Sequence, residues 1–229
     1  MDNKKMLLVF PPQWTPVSPH FAVPSLIGQL KNEGFNAFAL DLNIEFYHYI
    51  LDRNYIQNSL DKIKVQFEEA QKKIVKIYSP SKKEADYSFE EKMLFYKYNK
   101  LKNFISLKYK DFSVVPNFIN SAMQTFNTQE FYNPVSLIKS MNVIDKALEI
   151  ISLQYAPLSI GFDSVINPFF KFNYESIKYF VLDKNTNIFS EFYEKQINSI
   201  LEKDYGFIAI SINSSSQIVA GLTLAYMLK

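Results

Sequence analysis

Residues 6–43 read MLLVFPPQWTPVSPHFAVPSLIGQLKNEGFNAFALDLN, and the architecture follows from them. The first five, Met6 through Phe10, form a short continuous apolar run, the pattern of a strand buried on both faces of a parallel sheet. Pro11 and Pro12 cannot donate to a ladder and stop it, while Pro16 and Pro19 keep the following loop extended and stiff. Val23, Leu26, Ile27 and Leu30 then recur at helical spacing, with Pro24 in the first turn and Gly34 at the left-handed position that ends a helix. Residues 36–41 return to a short strand. A strand, helix and strand joined this tightly predict a right-handed parallel crossover. Ligands of such sheets lie outside the carboxyl ends of the strands, so residues 11–20 and 41–45 are the ones to watch.

Beyond Asn43 the pattern changes to helix upon helix. Amphipathic spacing predicts a helix over 55–77, with Ile56, Leu60, Ile63, Phe67, Ile74 and Ile77 on its apolar face. Ser88 followed by Glu91 is a capping-box signature for a second helix over 89–109. Residues 111–117, containing Pro116, read as a break. A third long helix spans 134–155, with Val135, Ile138, Met141, Ile144, Leu148 and Ile151 on one face. The chain turns extended at LSIGFDS, residues 158–164, and passes a loop holding Asn167 and Pro168. Helices follow over 174–183 and 188–203. GFIAISIN, residues 206–213, is the next strand, bounded by Gly206. Ser214 to Ser216 supply a helix cap, and 218–228 is helical.

These elements predict an α/β protein: a Rossmann-like parallel sheet of flavodoxin-like order 2-1-3, incomplete, with a large α-helical insertion. Residues 1–45 and 155–229 form the sheet domain and 46–154 the insertion. Three strands cover a doubly wound sheet poorly, and the pattern stops where another strand is due, so more chain is expected after Lys229.

Composition narrows the function classes. At 48% hydrophobic and 21% charged, the chain can bury a core. A formal charge of +2, with nearly all the basic residues lysine, argues against a dedicated nucleic-acid or acidic-membrane surface. Without cysteine there can be no disulfide, thiolate zinc site, thiolate-held iron–sulfur cluster or cysteine nucleophile in this chain. Lys4 and Lys5 precede only a short apolar run, not a signal peptide, and no window approaches a membrane span. The cytoplasm is the expected compartment.

Individual residues carry modest signals. His20 follows Pro19 in the loop with no carboxylate partner evident from the sequence, and His48 among Phe46, Tyr47 and Tyr49 reads as partly buried packing. Two distant histidines make no metal spacing. Asp41 stands where dinucleotide folds hold the ribose, yet Gly-x-Gly-x-x-Gly is missing, so capping the next helix is the favoured role. Ser211 lacks the Gly-x-Ser-x-Gly elbow of hydrolases. Trp14, the single tryptophan, is either packing or a flat surface for a ligand. In the lysine- and aromatic-rich stretch 62–110, interspersed acids such as Glu68, Glu69 and Glu84 favour a solvated helix face over a peptide or nucleic-acid site.

Two segments, LLVFPPQWTPVSPHFAVPSLIGQLKNEGFNAFALDLN and GFIAISINSSSQIVAGLTLAYMLK, together resemble the amino-terminal cobalamin-binding-type domain of B12-dependent radical SAM enzymes that methylate or otherwise modify ribosomally made peptides. INPFF and the helix before GFIAIS share that order and spacing. The resemblance rests on the proline loop, Asp-Leu-Asn after the second strand, and Ser-x-x-x-x-x-Gln after the third. It implies a corrinoid over the carboxyl edge, with Pro11, Pro12, Gln13, Trp14, Asp41, Asn43, Ser211, Asn213, Ser214, Ser215 and Gln217 around cobalamin, and a peptide as substrate. The Asp-x-His-x-x-Gly loop that gives cobalt a histidine is absent, its place taken by PPQWTPVSPH. The Cys-x-x-x-Cys-x-x-Cys that holds [4Fe-4S] and S-adenosylmethionine is missing too; both would require a further domain, and this chain alone is not expected to catalyse or to supply metal ligands. The other function class left open is a Rossmann-like interaction module that binds a peptide or protein partner and no corrinoid.

Overall fold

A computed structural model describes residues 5–162 and 164–229, so Lys4 and the Asp163 of LSIGFDS lie outside the described residues. The chain divides into two compact units: Met1–Tyr49 with Phe162–Val165 and Phe170–Lys229, and Ile50–Gly161 with Ile166–Phe169.

The first unit is built on β1 (Met6–Phe10), which follows the apolar run and is buried along four of its five residues. It pairs in parallel with β2 (Ala37–Asp41) on one side and β5 (Phe207–Ile210) on the other, giving the order β2-β1-β5 expected of a partial Rossmann-like sheet. Successive side chains of a strand point to opposite faces. Leu8 and Phe10 meet Val23, Ile27 and Leu30 of α1 (Ala22–Asn32) on one of them. Gly34 follows α1 with φ of +83°, a conformation that favours glycine. The outer strands are less covered, with Phe38 and Phe207 exposed.

α2 (Leu42–Ile50) begins directly after β2. Its Phe46 packs against Phe189 and Phe192 of α9 (Ile188–Leu201), at centroid separations of 5.1 and 5.4 Å. Asn187 caps α9 and reaches two neighbouring helices: its Nδ2 donates to Val181 O of α8 (Tyr174–Leu182) and to Thr223 Oγ1 of α10 (Ile218–Leu228). Two short strands, β3 (Ser159–Ile160) and β4 (Val165–Ile166), lie in the extended stretch after the long helices.

The second unit is helical. α3 (Arg53–Ile77) starts two residues earlier than the periodicity indicates, because the Asp52 side chain caps the Asn54 and Tyr55 amides. α4 (Phe89–Leu107) carries the Ser88–Glu91 capping box. The region read as a break holds α5 (Tyr109–Phe112) and α6 (Val115–Thr125) instead. Pro116 falls in the first turn of α6, where its missing N–H is not needed, so it starts a helix there. α7 (Pro134–Gln154) packs along α6, joined by a buried Thr125–Ser140 hydroxyl bond of 2.8 Å. Ile144, Leu148 and Ile151 of its apolar stripe are buried, whereas Val135, Ile138 and Met141 remain exposed. Among the described residues no helix is long and apolar enough to cross a membrane.

Candidate functional site

Strand register brings three loops together at the carboxyl edge. Phe10 ends opposite Asp41, so the loop leaving β1 and the first turn of α2 emerge side by side. Val9 pairs with Ile210, and Ser211 N–H donates to Val9 O at 2.9 Å, so the segment after β5 emerges on the other flank.

The three are tied by buried side chains. Gln217 is fully buried; its Nε2 donates to Pro11 O at 2.7 Å and its Oε1 accepts from Asn213 N–H at 2.8 Å. Ser216 Oγ donates to Gln13 O at 2.9 Å. On the other side, Trp14 N–H donates to Asn43 Oδ1 at 2.9 Å. Gln13 Nε2 donates to Tyr47 OH, which in turn donates to Phe162 O. Each bond satisfies a main-chain or side-chain group that burial would otherwise leave at a cost of about 1–3 kcal/mol. The three loops are therefore tied to one another at several points.

The implied cobalamin residues fall into two sets. Pro11, Pro12, Gln13, Asn43 and Gln217 are buried and brace the edge from beneath. Trp14, Asp41, Ser211 and Ser214 are half-buried, and Asn213 and Ser215 exposed, so these present the surface. Trp14 stands edge-on to Phe10, at 6.3 Å and 72°. Ser214 to Ser216 do not cap α10: Ser215–Gln217 is a short 3-10 turn, and α10 starts after it with no side-chain cap.

His20 departs most from its sequence reading. A carboxylate partner does exist: His20 Nε2 lies 3.1 Å from Asp41 Oδ2, and the ring stacks on Phe10 at 3.5 Å and 9°. The two residues are 21 apart in sequence, and only the β1–β2 register makes them neighbours. Asp41 also caps α2, its Oδ1 accepting from the Asn43 and Ile44 amides. His48 is exposed on α2, because its position turns away from the face that carries Phe46 and Tyr47. Glu45 is exposed on α2, and its partial desolvation, followed by repulsion from Asp41, raises its carboxyl above the ordinary value, against the opposing influence of Lys203 and His48. The Ser216–Gln13, Gln13–Tyr47 and His20–Asp41 contacts at this edge are the ones that sequence spacing does not reveal.

Among the described residues no group of three or more His, Cys, Asp or Glu side chains could hold a metal ion. Neither a family model, nor a curated protein, nor a solved structure matches this chain.

Proposed function

We propose that the first unit binds a corrinoid over the carboxyl edge of its sheet, as the cofactor-holding portion of a B12-dependent enzyme that methylates a peptide. The observation that carries this reading is the cross-tied edge: a preformed surface loses little entropy on taking up a ligand. Its surface members, the half-buried Trp14, Ser211 and Ser214 with the exposed Asn213 and Ser215, suit a flat group held at its periphery. His20 fits cobalt poorly, since its Nε2 faces Asp41 and its Nδ1 is buried, so this loop would hold the corrinoid without a histidine ligand to the metal. When bound, a methylcorrinoid supplies the transferable methyl group; the chain's own part is to hold and orient it.

Titration with hydroxocobalamin, following Trp14 fluorescence and the corrinoid spectrum, tests the reading. Saturable quenching with a spectral shift is expected. A flat response from folded protein overturns it.

The second reading is an interaction module, favoured by the exposed Val135, Ile138 and Met141 at helical spacing on α7. Charge substitution at Ile138 would then abolish capture of a peptide partner, and the corrinoid titration would be flat in parent and variant alike.

A further inference from the structure

The connection between α6 and α7 forms an open cleft of about 580 Å³, lined by Phe126, Asn127, Thr128, Gln129, Phe131 and Tyr132. That volume falls within the range of roughly 300–1,000 Å³ common to small-molecule sites. The Phe131 and Tyr132 rings meet at 86° with centroids 5.4 Å apart, and Phe126 tilts against Phe131 at 6.1 Å, so the aromatic walls make a corner. Tyr132 is 81% exposed and Phe131 38%, which leaves ring surface for a ligand. The loop is braced from within. Asn127 N–H donates to Gln124 O, Phe131 N–H to Thr128 O and Asn133 N–H to Glu130 O, while the Asn133 side chain caps α7.

None of the six lining side chains is charged, in a chain of which 21% is. The carboxylate of the intervening Glu130 is engaged elsewhere, accepting from Ser136 Oγ at 2.6 Å. A phosphate or carboxylate would therefore meet no cation on the lining, and an ammonium no carboxylate. A wholly apolar ligand would cover the Asn127 and Gln129 amides, each with donor hydrogens and an acceptor oxygen, and leave them unpaired. A pyranose ring answers both halves of the lining: one face presents only C–H groups, and its hydroxyls donate and accept. We propose that this cleft binds a neutral oligosaccharide, with a sugar ring packed on Phe131 and Tyr132 and its hydroxyls bonded to the Asn127 and Gln129 amides. The site belongs to the helical unit and does not rest on the corrinoid reading.

The test is saturation-transfer NMR of the whole chain with maltotriose, cellotriose and triacetylchitotriose, which reads weak binding from the sugar protons. At least one of the three is expected to bind saturably, with transfer strongest at the C–H protons of a single ring face. Tyr132→Ala, at an exposed position that leaves the core intact, should weaken that binding by about tenfold. Gln129→Ala should weaken it severalfold by removing a hydrogen-bonding partner. Tyr226→Ala, an equally exposed aromatic on α10, should leave it unchanged. Absence of saturable binding by all three sugars overturns the proposal. So does an equal loss in Tyr132→Ala and Tyr226→Ala, which would mark general adhesion to exposed rings. p-Cresol gives the last comparison: if it displaces the bound sugar and Gln129→Ala has no effect, the cleft takes an apolar aromatic group and the proposal fails.

Discussion

The Gln217 side chain reaches back across 206 positions to donate a 2.7 Å hydrogen bond to the Pro11 carbonyl, fastening the segment after the last strand to the loop after the first. Gln217→Leu keeps much of the volume and loses both side-chain bonds, stranding the Pro11 oxygen. Chemical denaturation should show a loss of about 2 kcal/mol, and Gln217→Asn, too short to span both partners, should lose nearly as much. A change below a few tenths of a kcal/mol would mean that water replaces the amide.

Glu45 titrates against the fold. Its folded-state carboxyl is raised above the ordinary 4.5, mainly by partial desolvation and then by Asp41, so the protonated form is the one folding favours. That contribution is present below the unfolded value and is lost as pH rises through the raised folded value. Glu45→Gln should therefore stabilise the protein modestly at neutral pH and remove the part of the stability gain seen on acidification toward pH 4.5. Thermal melts of both proteins across that range measure it; parallel curves would refute it.

At Gly221 two effects oppose each other. Alanine in a helix interior is favoured over glycine by about 1 kcal/mol. A Cβ there would stand 2.6 Å from Ile212 Cδ1 and 2.7 Å from its Cγ1, too close without displacement of Ile212. Overpacking of this kind costs about 1–3 kcal/mol, so Gly221→Ala should be destabilising by about 1 kcal/mol. In the Ile212→Ala background the same substitution should turn stabilising, a sign change that a double-mutant cycle reads directly.

Local features were legible in the sequence and long-range ones were not. The apolar run of β1, Gly34 at φ of +83° and the Ser88–Glu91 box each depend on residues a few positions apart, so pattern alone finds them. Pro116 misled because proline ends one helix and begins another with the same local chemistry. At the carboxyl edge, the proline loop and Asp41 could be singled out by the topology of a crossover. The Gln217–Pro11 and His20–Asp41 contacts depend on register between strands, and Gln13, Asn43 and Gln217 look like surface residues until the fold buries them.

Tyr193 presents the reverse case, a polar group with nothing to do. It is fully buried on α9, its ring tilted against Phe192 at 5.3 Å, and its hydroxyl has no hydrogen-bond partner. Burial pushes its ionisation well above 10.0. The unfolded chain therefore releases the phenol proton near pH 10.0 while the folded chain keeps it, and stability falls as pH rises past that point. Tyr193→Phe removes both the orphaned hydroxyl and this alkaline loss. At neutral pH it should leave stability unchanged or raise it by up to about 1 kcal/mol, since no bond is broken and an unpaired group is deleted. Above pH 10.0 the variant should pull ahead of the parent increasingly, as urea midpoints at successive pH values would show. A clear loss at neutral pH would instead reveal that the hydroxyl holds a partner in solution.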